Sequence, residues 1–106
     1  MKESIRQLTQ EIVEQNNEVP IFRESTPTDT VNMIVEEANE LKQEFEMAFL
    51  TDDLTQVAGE IADVLYLTLK LCSDLGLNAD DLIRIKLIRN KLKYGGHHNQ
   101  EQARKE

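Results

Sequence analysis

Thr30 to Leu50 reads TVNMIVEEANELKQEFEMAFL, and its apolar residues decide between helix and strand. Val31, Ile34, Ala38, Leu41, Phe45 and Ala48 recur in alternating steps of three and four, the spacing of one helix face and not the two-residue alternation of a half-buried strand. The predicted helix starts at a cap on Thr28 or Asp29 and ends near Leu50. Within it, Glu36, Glu37 and Glu40 put three carboxylates into five positions. At about 100° per residue, Glu37, Glu40 and Glu44 lie along one edge of the helix beside Leu41, whereas Glu36 points nearly away from the apolar stripe.

The pattern continues on both sides. Thr51-Asp52-Asp53 reads as a turn and a new cap, and the helix after it runs to about Leu75, where Gly76 offers the left-handed position that ends helices. Asn78 caps a last helix, with Asp80 and Asp81 in its first turn and Lys91 and Lys93 in its last, as the helix dipole favours. Upstream, Ser4 to Asn17 forms a weakly amphipathic helix with Ile5, Leu8, Ile12 and Val13 on its apolar side. A loop from Glu18 to Thr28 holds Pro20, Pro27 and the pair Phe22-Arg23. With no strand signal and no repeat, the fold class is all-α, a four-helix bundle-like domain over residues 1–96. Residues 97–106 read as a polar tail, and His97-His98 belong to it.

At 106 residues the chain is one domain with an adequate but modest core. Its 40% apolar and 30% charged residues are those of an ordinary globular protein. No apolar run reaches the roughly 18 residues that span a bilayer, and Met1-Lys2-Glu3-Ser4 does not open a signal peptide. A cytoplasmic protein without membrane partners is expected. Cys72, among leucines, reads as an inert buried thiol. The net charge of −8 is laid out unevenly. Between Glu36 and Asp63 the acids face Lys42 alone, while Arg84, Lys86, Arg89, Lys91 and Lys93 make the last helix basic. Whole-chain acidity opposes attraction to nucleic acid, so a small anion held through metal ions fits this layout better.

Glu60-Ile61-Ala62-Asp63 supplies a second pair of acids one turn apart. Their helix face continues into Val64, Leu67, Leu71 and Leu75, and Ala58, Ile61, Leu65, Leu69 and Cys72 lie opposite, where the chain's own core is expected. A helix apolar nearly all round calls for cover on both sides, so a homo-oligomer is expected, with Leu67 and Leu71 at or near the subunit contact. Phe45 and Phe49 are expected to pack inward. On adjacent antiparallel helices Glu37, Glu40, Glu60 and Asp63 can converge, and such a cluster repels itself unless a cation sits within it. Hard divalent ions suit oxygen ligands, so Mg²⁺ is expected, with Mn²⁺ able to replace it.

Glu36-Glu37-x-x-Glu40, nineteen intervening residues and Glu60-x-x-Asp63 resemble the E-E-x-x-E…E-x-x-D signature of the MazG-type all-α nucleoside triphosphate pyrophosphohydrolases. Lys86, Asn90 and Lys93 are similar to a K-x-x-x-N-x-x-[RK] pattern in that family's last helix, and the likeness covers about Asp29 to Tyr94. It implies Mg²⁺-dependent cleavage of (deoxy)nucleoside triphosphates between the α and β phosphates, giving a monophosphate and pyrophosphate, in the manner of a house-cleaning enzyme. Glu37, Glu40, Glu60 and Asp63 would hold metal, and Glu36 would add a ligand or orient the attacking water. Lys86, Asn90 and Lys93 would meet the phosphates of the nucleoside triphosphate. Short members of that family work as dimers or dimers of dimers. Two alternatives stand beside this reading. A phosphoribosyl-ATP pyrophosphatase has a similar E-x-A-D-x-x-Y helix, matched here by Glu60, Ala62, Asp63 and Tyr66, although the Lys86/Asn90/Lys93 set favours the triphosphate branch. The other is a non-catalytic helical metal-binding or interaction protein, whose ferritin-like form needs helical Glu-x-x-His pairs that this chain lacks.

Overall fold

A computed structural model of the chain describes residues 4–95, so His97, His98 and the expected tail lie outside the described residues. It is all-α: α1 (Ile5–Glu18), α2 (Pro20–Arg23), α3 (Pro27–Thr51), α4 (Thr55–Asp74) and α5 (Ala79–Tyr94). Four are long, and α2 is a single turn that the sequence reading placed in a loop. Pro20 opens that turn, where its missing N–H is no loss.

Local chemistry sets the boundaries. Ser4 and Gln7 form a reciprocal capping box at α1. α3 starts earlier than expected because Thr26, not Thr28 or Asp29, is its cap: the Thr26 hydroxyl accepts the Asp29 N–H at 3.1 Å and the Asp29 carboxylate accepts the Thr26 N–H at 2.9 Å. Pro27 then fills the first helical position. Asp52 ends α3 in the left-handed region at φ 58°. The cap of α4 is Leu54, which has no side-chain acceptor; instead the Asp53 carboxylate takes the Thr55 N–H at 2.9 Å. That bond holds the Asp53 carboxyl below the usual carboxylate range. Gly76, at φ +72°, closes α4 as its sequence predicts, with Leu77 N–H bonded to Cys72 O and Gly76 N–H to Ser73 O. Asn78 caps α5 by accepting the Asp81 N–H.

The short connection between them makes α3 and α4 an antiparallel pair with the most extensive contact in the fold; α1 lies on α4, and α5 leans on α1 and α4. Along the pair, Thr30, Ile34, Glu37, Leu41, Glu44 and Ala48 of α3 are buried or half-buried, facing Val57, Glu60, Val64, Leu67 and Leu71 of α4. Both rows alternate steps of three and four, as in coiled-coil packing. The seam of α3 is thus rotated from the predicted one. Val31, Ala38 and Phe45, expected inside, are exposed, and Thr30, Glu37 and Glu44 take their place.

The faces of α4 shift in part: Leu69 and Cys72 are half-buried and Leu75 is exposed, near to what their spacing predicts, but others are not. Leu67, expected at a subunit contact, is buried within the chain at 5% exposure, while Ile61 and Leu65, expected in the core, are 44% and 59% exposed. Phe45 and Phe49 do not pack inward either. They meet each other edge to face on the surface, with centroids 5.1 Å apart. Cys72 is half-buried. The buried side chains among the described residues are Ile12, Thr30, Val57, Leu67, Lys70 and Ala79, a small core centred on the α1–α3–α4 contact.

Candidate active site

The seam is interrupted by acid. α3 supplies Glu37, α4 supplies Glu60 and, one turn on, Asp63, and one oxygen from each lies within 4.8 Å of the others. Glu37 and Glu60 are half-buried and Asp63 is exposed. Oε1 of Glu37 and Oε1 of Glu60 are buried without any hydrogen-bond partner. Two ionised carboxylates cannot bond to each other, since neither can donate. A proton on Glu37 shared with Glu60 relieves the conflict, and together with burial and the charges of Glu40, Asp63 and Glu60 it pushes the Glu37 carboxyl up to about 7. Glu40, exposed one turn further along α3, adds charge but is not among the three converging oxygens; Glu36 is also exposed.

The cluster opens into a pocket of about 150 Å³ lined by Met33, Glu37, Asp63, Tyr66 and Leu67, room for an ion and a few waters. Tyr66 is its wall. Tyr66 also lines a larger groove of about 400 Å³ that runs between Leu8, Ile12 and Gln15 of α1 and Leu65 and Leu69 of α4. The Tyr66 hydroxyl donates to Gln15 Oε1 at 2.6 Å, and partial burial pushes the phenol up from its ordinary value. An apolar groove therefore adjoins an acidic pocket through one aromatic side chain.

Over residues 2–89 the chain matches the phosphoribosyl-ATP pyrophosphohydrolase family. The chain belongs to that family. No curated protein and no solved structure matches it. The family indicates a pyrophosphohydrolase, a hydrolase of phosphoric anhydrides, built on the all-α fold seen here. The matched span includes Glu36, Glu37, Glu40, Glu60, Asp63 and Lys86, and it stops short of Asn90 and Lys93. Two of the three residues that favoured the triphosphate branch thus lie beyond it.

Within one chain the basic set on α5 is not brought to the acids. Lys86 and Lys93 are exposed and Asn90 is half-buried, and none of them lines the pocket beside Glu37 and Asp63. The Lys93 ammonium lies over the Tyr94 ring, 5.2 Å from its centroid. A different lysine occupies the seam. Lys70, which sequence reasoning passed over, is 1% exposed and donates to Asp74 Oδ2 at 2.7 Å, Ser25 Oγ at 3.0 Å and Thr30 Oγ1 at 3.1 Å. Its signal was available: it is the sole cation in the apolar run from Val64 to Leu75, four residues before an aspartate.

Proposed function

We propose that this family member is a Mg²⁺-dependent pyrophosphohydrolase that cleaves a (deoxy)nucleoside triphosphate between its α and β phosphates, as in nucleotide-pool house-cleaning. One observation carries the reading: Glu37 and Glu60, each with a buried oxygen that has no hydrogen-bond partner, bring a carboxylate oxygen within 4.8 Å of each other and of Asp63. Oxygen-only ligands around such a point fit a hard divalent ion, Mg²⁺ or in its place Mn²⁺. Glu37, Glu60 and Asp63 would hold it, with Glu40, exposed one turn along α3, completing the set. When bound, the ion withdraws charge from phosphoryl oxygens and acidifies water, so the protein needs no covalent nucleophile.

The chain's own groups do the rest. Glu36, exposed beside Glu37, orients the attacking water or takes its proton. The apolar groove lined by Tyr66 receives the base. Lys86, Asn90 and Lys93 bind the leaving phosphates, brought over the pocket by α5 of a second copy, since their own chain's pocket does not include them. Support for a homo-oligomer, a dimer or a dimer of dimers, comes from the apolar side chains left bare: Leu65 at 59% on α4, and Ile85, Ile88 and Leu92 at 46–77% on α5. A face of that kind calls for a partner, and a symmetric copy is the usual one. Ile88→Asp, at an α5 side chain that lines neither the pocket nor the groove, is expected to dissociate the assembly and lower activity together, read by light scattering and turnover.

The family match favours phosphoribosyl-ATP as a second substrate reading. That molecule presents the same anhydride to the same acids. A panel of nucleoside triphosphates and phosphoribosyl-ATP, scored by pyrophosphate release with and without Mg²⁺, separates the two: the preferred reading requires turnover of at least one simple triphosphate, and turnover of phosphoribosyl-ATP alone would replace it by the second.

A further inference from the structure

We infer that Lys70 is a positioning residue for the carboxylate site, resting on the metal-site reading above: its buried ammonium locks α3 against α4 in the register that brings Glu37 to Asp63. An ammonium has three protons, and all three are used, on Asp74 of its own helix, on Thr30 inside α3 and on Ser25 just before it. The lysine therefore ties three stretches of chain at one point. Thr30 precedes Glu37 by seven residues, and Lys70 follows Asp63 by seven. Both intervals are two helical turns, about 10.5 Å along the axis, so the Lys70–Thr30 bond is the next polar layer of the seam after the acids. Leu67 and Met33 lie between the layers, lining the pocket with Glu37 and Asp63.

A clamp is needed there for two reasons. Before a cation binds, Glu37 on α3 meets Glu60 and Asp63 on α4, an all-acid contact that does little to hold the two helices together. Apolar contacts fix the register poorly, because they tolerate sliding and rotation at small cost, and Val57 and Leu67 are the seam's buried apolar residues among those described. A hydrogen bond to Thr30 Oγ1 has a direction and a length, and a slide of either helix breaks it. Stability alone does not account for the lysine, since a buried ion pair is often no more stabilising than well-packed apolar residues of the same size. Register is what an apolar replacement would give up.

Two sets of variants of the full chain test this, read by Mn²⁺ binding followed by calorimetry, by kcat and KM, and by thermal unfolding. Lys70→Met combined with Asp74→Leu removes the charge pair without stranding either partner. It is expected to fold with an unfolding temperature equal to or above wild type, yet to bind Mn²⁺ at least fivefold more weakly and lose kcat more than KM rises. Thr30→Val removes the cross-helix acceptor, and with it the hydroxyl's own 3.3 Å bond to Thr26 O, and is expected to weaken Mn²⁺ binding in the same direction, while Thr30→Ser, which keeps the hydroxyl, restores it. A folded Lys70→Met/Asp74→Leu protein with wild-type Mn²⁺ affinity and kcat would overturn the inference. So would equal affinities for Thr30→Val and Thr30→Ser, the deciding comparison if the double variant does not fold. Wild-type protein that binds no Mn²⁺ would instead overturn the metal-site reading and take this inference with it.

Discussion

Two polar clusters sit in the α3–α4 seam two turns apart, and they are opposites. Around Lys70 every proton of the ammonium has an acceptor, and a carboxylate balances its charge. Around Glu37 and Glu60, buried oxygens have no donor and the neighbouring charges all share one sign. A satisfied buried network specifies structure; an unsatisfied one is a place where the fold gives up stability to hold something. The contrast separates scaffold from site on one helix pair, without reference to any relative.

The largest effect expected is on the unsatisfied side. Glu60→Gln, Asp63→Asn or Glu40→Gln should cut metal-dependent hydrolysis by at least about 100-fold, since even outer-shell partners of a metal ligand are worth about 10–100-fold. The same changes should leave the metal-free fold as stable or more so, because each removes one charge from a repelling group. Near-native turnover in any of the three would dissolve the distinction between the two clusters.

Lys86→Ala and Lys93→Ala come next. Loss of a charge-assisted phosphate contact costs about 1.5–3 kcal/mol, or about 10–150-fold in kcat/KM, while the Mg²⁺ titration midpoint should stay where it is. Unchanged kinetics would return both lysines to the solvent face of α5 and leave recognition to the seam and the groove.

The raised Glu37 pKa makes a third test, with a definite sign. The folded protein holds this proton up to about pH 7 whereas the unfolded chain releases it near 4.5. Between those values the native state binds more protons, so in chelator the contribution of Glu37 to stability falls as pH rises from about 4.5 to about 7. Glu37→Gln should flatten that slope in urea titrations, and saturating Mn²⁺ should reverse it. No difference between Glu37→Gln and wild type across the window would mean that the two clusters do not differ in charge balance.

How much of this was legible beforehand depends on which link is asked about. Helix boundaries were readable where a single side chain decides them, as at Ser4, Gly76 and Asn78, and slipped by a few residues where Thr26 and Pro27 acted together. The acids were readable as a group because their i,i+3 spacing survives any rotation of the helix. The rotation itself was not. Choosing the most apolar stripe put Val31, Ala38 and Phe45 inside, whereas the fold turns Glu37 inward and leaves those residues bare. The same preference for apolar interiors hid Lys70. Local hydrophobicity misleads where a seam has been given over to charge, and it misleads again where apolar faces have no cover among the described residues.

The smallest effect is a control for all of these. Gly76→Ala at the α4–α5 joint meets no neighbour within 4 Å and costs only its positive φ, about 1–2 kcal/mol. It should lower the unfolding midpoint without moving Mn²⁺ affinity, because it touches neither cluster.

The most direct measurement is a calorimetric titration of the full chain with Mn²⁺ near pH 6.5, repeated in buffers of different ionisation enthalpy. At that pH Glu37 still carries much of its proton, and a cation seated among Glu37, Glu60 and Asp63 must displace it. The prediction is saturable binding accompanied by release of a fraction of a proton, with the release lost in Glu37→Gln. Absence of saturable binding at millimolar Mn²⁺, or binding that releases no proton, would contradict the claim that the unpartnered oxygens of the seam form a metal site.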